Sequence, residues 1–141
     1  MQSFQLLGGV ADKALQMGKA DDAERILLVL LTDVGNRARD GQLLDPSVTE
    51  PAARYAARLA SATGKANWVD YVFELYRRQR RVLPAQVVDE LYTVVRKLKT
   101  LDLTAVRAYL EALREMSSAF GPAERFLVQR IEGLERQMAL K

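Results

Sequence analysis

Gly18–Leu31, GKADDAERILLVLL, is the stretch on which the fold turns. A Gly-Lys pair leads into acidic residues and then six consecutive apolar ones, Ile26–Leu31. Alone, ILLVLL could be a buried strand. Its flanks, DDAER before and NRARD after, are helix-forming and decide for helix. Gly18 ends a preceding helix, since glycine readily takes the left-handed conformation just past a helix end. Asp21, Asp22 and Glu24 open the next one, where negative charge complements the exposed amides. That second helix runs towards Gly35 or Asp40. It is apolar on almost every side, so it is expected in the middle of the molecule with several neighbours.

The same punctuation returns at Gly64, in GKANWVDYVFELYR. Two such corners imply two helical hairpins, and the remaining sequence continues the pattern. In the first helix Leu7, Val10, Ala11, Ala14 and Met17 recur at three- and four-residue steps and predict one buried face. The connector DGQLLDPSVTEP precedes a third helix, with Pro51 in its first turn and a cap near Thr49. Ala52, Ala53, Ala56, Ala57 and Ala60 in that helix permit a close neighbour. A fourth helix starts near Asn67 with the core stripe Val69, Val72, Phe73 and Tyr76, and finishes in RRQRR. Pro84 leads a fifth, with Val87, Leu91, Val94, Val95 and Leu98 on one side. Asp102 caps a sixth, bearing Val106, Tyr109, Leu110 and Leu113. After SSAFGP, Pro122 opens a seventh with Leu127, Ile131, Leu134 and Met138 in register. No stretch alternates like a strand, so the expectation is all-α, about seven helices in stacked antiparallel hairpins, as one domain over residues 1–141.

Composition narrows the chemistry. The 141 residues are 49% hydrophobic and 28% charged, which suits a globular domain burying about two thirds of its unfolded surface. Histidine and cysteine are absent, which removes disulfides, thiolate nucleophiles, Cys/His zinc sites, Ser-His-Asp triads and a histidine pH switch. No catalytic, cofactor or metal residue is nominated, and the expectation is a non-enzymatic protein. The net charge of +3 is too small to imply nucleic acid by itself. The opening MQSFQLL lacks the basic lead and apolar core of a signal peptide, and enters helix with almost no leader, as a domain cut from a longer chain would. Ile26–Leu31 is far shorter than the ~20 residues of a membrane span. A cytoplasmic protein is expected.

Helices one and two, three and four, and five and six form the expected pairs, with corners at Gly18, Gly64 and Thr100, 46 and 36 residues apart. Units of this length that cannot cover their own apolar faces suggest an α-solenoid. The corner ALQMGKADDAERIL resembles the tetratricopeptide repeat (TPR), whose corner glycine, acidic residues, alanine and large apolar residue correspond to Gly18, Asp21–Asp22, Ala23 and Leu27. Ala11 and Ala57 occupy its small-residue position, whereas Val69, Leu30 and Tyr76 stand where that family prefers smaller side chains. The resemblance covers Leu7–Leu113. It implies a right-handed, TPR-like array that binds another protein, usually in a groove lined by the first helix of each pair. A generic helical bundle is the alternative.

Two clusters could carry such a function. Trp68, Tyr71 and Leu75 make a second apolar stripe on the fourth helix, either an aromatic interface anchor or an internal contact to the neighbouring hairpin. Arg77, Arg78, Arg80 and Arg81 follow, as guanidinium forks for an acidic protein or peptide partner, or as cations complementing a helix C-terminus. With Arg96, Lys97 and Lys99 they could also form a basic edge, Arg77–Lys99, for a nucleic-acid-associated module. The Gly-Lys pairs lack the remaining residues of a phosphate loop and mark turns. The last helix either caps the array or pairs two copies of the chain as a homodimer through Phe126, Leu127, Ile131 and Leu134.

Overall fold

The computed structural model describes residues 2–141, with side-chain surroundings from residue 4 onward. Among those residues the chain is all-α: α1 (Gln2–Gln16), α2 (Ala20–Arg39), α3 (Pro46–Thr63), α4 (Asn67–Gln79), α5 (Ala85–Lys97), α6 (Thr104–Glu115) and α7 (Pro122–Ala139), with a short 3-10 turn, Ser117–Ala119, before α7. None of the described helices is long and apolar enough to cross a membrane.

The helix ends follow from local chemistry. Gly18 has φ 74°, its amide donates to the Leu15 carbonyl, and the Lys19 amide reaches back to Ala14. This pair of bonds satisfies carbonyls that the helix would otherwise orphan. Gly64, at φ 73°, ends α3 with one bond to the Ala60 carbonyl. Both glycines are therefore corners. α4 closes with the two-bond pattern of Gly18, but with Arg80 in the left-handed position at φ 55°.

Two layers result. The odd-numbered helices touch in order, α1 to α3 to α5 to α7, and the even-numbered ones α2 to α4 to α6. The layers join through α1 with α2, α2 with α3, α3 with α4 and α6 with α7. One buried cluster runs from Phe4 to Met138. Ala52, Ala53, Ala56, Ala57 and Ala60 are all fully buried, and their small size lets α3 lie close to both α4 and α5.

Three tyrosines pack over glycines set in the middle of neighbouring helices. The Tyr55 ring of α3 covers Gly8 of α1, leaving no room there for a methyl group. Tyr71 of α4 covers Gly35 of α2, and its hydroxyl donates to the Leu31 carbonyl at 2.6 Å. Tyr92 of α5 covers Gly133 of α7 and donates to the Arg130 carbonyl at 2.6 Å. A glycine inside a helix costs about 1 kcal/mol relative to alanine. At Gly35 and Gly133 the missing side chain opens a route to a backbone carbonyl, and the tyrosine bond offsets that cost; Tyr55 instead donates to Asp12 at 3.3 Å.

Four expectations need correction. α3 begins at Pro46, not just after Thr49, because Asp45 accepts from the Ser47 amide at 2.9 Å and supplies the cap. Thr49 is buried, and Pro51 sits in the second turn, where its missing N–H removes a single ladder bond. Of the residues assigned to the α1 core face, Ala11 and Ala14 are buried but Leu7, Val10 and Met17 are exposed. The inward stripe is Phe4, Gly8, Ala11 and Leu15, because the small residues are where α2 and α3 approach. Finally, α5 and α6 do not form a close pair; α5 packs on α3 and α7, and α6 on α4 and α7.

Candidate functional site

Trp68, Tyr71, Leu75 and Arg78 come together along a groove of about 370 Å³ between the second half of α2 and α4. Gly35 and Ala38 keep the α2 side low, so the aromatic residues of α4 form the floor. Trp68 and Leu75 are nearly covered, at 6% and 3% exposure, while Tyr71 is half-buried. The Trp68 indole meets the Tyr71 ring edge-on, with centroids 5.6 Å apart, and its Nε1 donates to Glu24 Oε2 at 2.6 Å. Lys65 Nζ holds the other oxygen of Glu24 at 2.7 Å. Those hydrogen bonds, Lys65 first and Trp68 second, lower the Glu24 carboxyl below its ordinary range. Glu24 thus bridges the two hairpins rather than serving the helix start. Burial raises the Tyr71 phenol well above the usual tyrosine range, so this hydroxyl stays a donor.

The four arginines of RRQRR divide between scaffold and surface. Arg77 grips Glu74 with two bonds, at 3.1 and 2.8 Å, and this pairing lowers the Glu74 carboxyl. Arg78 lies 3.7 Å from the same carboxylate, leaving most of its donors free on the groove wall. Arg80 is exposed. Arg81 is structural: its Nη1 donates to the Leu44 carbonyl at 2.7 Å and fixes the α2–α3 connector. Arg96, Lys97 and Lys99 fall at the far end of α5, about 18 Å away along 13 residues of helix. The basic run therefore splits between opposite ends of the molecule instead of forming one edge. In α7, Phe126 is exposed and Leu127 half-buried, but Ile131 and Leu134 face the core, which leaves the expected pairing surface without its centre.

Other residues prove to matter. Gln79, in the middle of the arginine run, is buried; it accepts from the Leu44 amide at 2.7 Å and donates to the Gln42 carbonyl at 2.9 Å. Its register with Val72 and Tyr76, at steps of seven and three, already marks it as inward-facing. Tyr109 accepts from the Leu83 amide and donates to the Arg81 carbonyl, both at 2.8 Å, and so anchors the α4–α5 connector. Asp70, on the groove wall, is raised to about 6, first by burial and then by the negative charges of Asp102 and Glu74. Among the described residues no basic side chain pairs with it, whereas Arg39 and Arg78 line the other end of the groove. Among the described residues no group of three or more metal-ligating side chains converges.

A second groove, of about 620 Å³, opens across the odd-numbered helices between Phe4, Tyr55 and Gln86. Both of its arginines are engaged: Arg58 pairs with Asp12 at 3.2 Å and lies over the Tyr55 ring, and Arg54 meets Glu90 at 3.4 Å. No family model matches the chain, and neither the curated proteins nor the solved structures give a match.

Proposed function

We propose that this chain is a non-enzymatic adaptor, a right-handed, TPR-like array of helical hairpins that binds a segment of a partner protein in the α2–α4 groove. The ordered contacts within each helix layer support the array. The lack of cysteine suits a reducing compartment such as the cytoplasm. The observation that carries the binding reading is Asp70. A half-buried carboxylate without a cation is costly in the free protein, and a guanidinium or ammonium from a partner relieves that cost. The groove then reads charge along its length: a basic side chain at Asp70, an apolar one over Tyr71, and an acidic one between Arg39 and Arg78. The odd-numbered-helix groove, which the TPR resemblance favours, is less suited because both of its arginines are already paired with carboxylates.

Short peptides selected from a display library on the purified protein test this. Trp68 is the only tryptophan, and it lines the groove, so its emission reports occupancy directly. Selected peptides should shift that emission and lose at least tenfold affinity for both Asp70→Lys and Arg78→Glu. Undiminished binding to both variants would refute the assignment.

A further inference from the structure

The α2–α4 groove has a direction as well as a shape. Glu24 of α2 meets Trp68 of α4, Leu31 and Gly35 meet Tyr71, and the Arg39 charge acts on Glu74. Residue numbers thus rise together on the two walls, so α2 and α4 point the same way and their carbonyl-rich C-terminal ends lie at one end of the groove. The α2 wall is the stripe Thr32, Gly35, Asn36 and Arg39, at steps of three, four and seven. The α4 wall repeats that spacing with Asn67, Asp70, Tyr71, Glu74 and Arg78. Two such rows, with only short side chains on α2 before Arg39, leave a trough along the helix axes in which a third helix can settle as a ridge.

Charge is divided along the trough. At its C-terminal end three guanidiniums, Arg39, Arg77 and Arg78, act on one carboxylate, Glu74, which Arg77 already holds with two bonds. A positive surplus remains there once Glu74 is counted. At the other end Asp70 feels the negative charges of Asp102 and Glu74, and the nearby Lys65 is spent on Glu24 at 2.7 Å. The walls offer little to the backbone of an extended segment. The Tyr71 hydroxyl donates to the Leu31 carbonyl, and the Asn36 side-chain oxygen accepts from Arg39 at 3.2 Å. A helix needs no such partners, because its own N–H and C=O groups bond one another.

Building on the adaptor reading of this groove, we propose that the bound segment is an amphipathic helix laid antiparallel to α2 and α4, with an acidic residue near its start and a basic one two turns later. Asp70 and Arg78 are eight residues apart on α4, ~12 Å along its axis. An i, i+7 pair on one face of the bound helix spans ~10.5 Å, a close match. Run antiparallel, that helix sets its acidic start between Arg39 and Arg78 and its basic residue at Asp70. Apolar side chains at steps three and four between them come down over Tyr71. The order also suits the bound helix itself, since its dipole favours anions near the N-terminus and cations towards the C-terminus. Its positive end then meets the negative ends of α2 and α4. A parallel helix would have to carry its charges in the opposite order, against its own dipole.

The probes are peptides selected on the purified protein that lose affinity for both Asp70→Lys and Arg78→Glu. They should carry an acidic residue seven positions before a basic one, and mixing with the protein should give more helical circular dichroism than the sum of the parts. Exchanging the basic residue for Glu should recover at least tenfold in affinity for Asp70→Lys, and exchanging the acidic residue for Lys should do the same for Arg78→Glu. The same peptide synthesised in reverse order should bind at least tenfold more weakly. Groove-directed peptides that gain no helicity, or whose basic residue comes first, would overturn the antiparallel helix while leaving the groove as a binding site. If no selected peptide is sensitive to both variants, the adaptor reading falls and this proposal with it.

Discussion

Replacing Asp70 by Asn should stabilise the free protein and weaken partner binding. The carboxyl is raised from 3.8 to about 6, a difference of about 2 pH units, or ~3 kcal/mol for a fully sequestered group. Asp70 is only partly buried, and screening by water there reduces the figure to about 1 kcal/mol. Loss of a negative charge from the first turn of α4 subtracts a few tenths more. The sign follows from proton counts. Between pH 3.8 and 6 the folded state binds more protons at this site than the unfolded state, so its contribution to stability falls as pH rises through that window. Below it the penalty is absent; above it the penalty is complete. Asp70→Asn should therefore gain about 0.5–1 kcal/mol at pH 7 and nearly nothing at pH 3.5, read from urea midpoints at constant slope. A gain equal at both pH values, or no gain at pH 7, would show that the charge is not what strains this position. Since the partner's cation is what relieves Asp70, the same variant should bind selected peptides more weakly while melting higher. Stability and affinity moving in the same direction would contradict the groove reading.

Two further outcomes follow from the scaffold. Arg80→Gly places a residue without a Cβ in the left-handed position that ends α4 and should gain about 0.5–1 kcal/mol, or roughly 2–3 °C in thermal midpoint; an unchanged or lower midpoint would contradict the strain at Arg80. Gln79→Ala strips both bonds from the α2–α3 connector and should cost about 2–3 kcal/mol, with faster hydrogen exchange at Leu44 as its local signature; an Ala variant within ~0.5 kcal/mol of wild type would mean that water replaces the amide.

The helices and both glycine corners were legible because each depends on short-range signals: apolar steps of three and four, and residues that favour left-handed or capping geometry. Pro51 misled because Asp45-Pro46-Ser47 is a stronger start, and two caps four residues apart, Asp45 and Thr49, cannot be ranked from spacing alone. Val10 and Met17 misled for a different reason. Apolar periodicity shows that a stripe exists but not which stripe faces the core; on α1 the small residues Gly8 and Ala11 won because neighbouring helices come closest there. Trp68, Tyr71 and Leu75 were visible as a stripe, and Arg78 as a cation beside it. Asp70 was invisible, because its raised carboxyl depends first on burial that only the assembled helices create, and then on Asp102, 32 positions away.

The tyrosine-over-glycine contacts also govern how this protein can change over time. At Gly133 a methyl group would stand 2.7 Å from the Tyr92 oxygen, so a switch to alanine must displace the ring before its better helix propensity can count. Loss of the tyrosine strands a glycine that then weakens its helix for no return. Each pair is a small evolutionary trap, in which either partner alone is hard to replace and the two together are easy. Neighbouring helices sliding by one turn would break the same contacts, so the spacing between rods should tolerate bending far better than slippage.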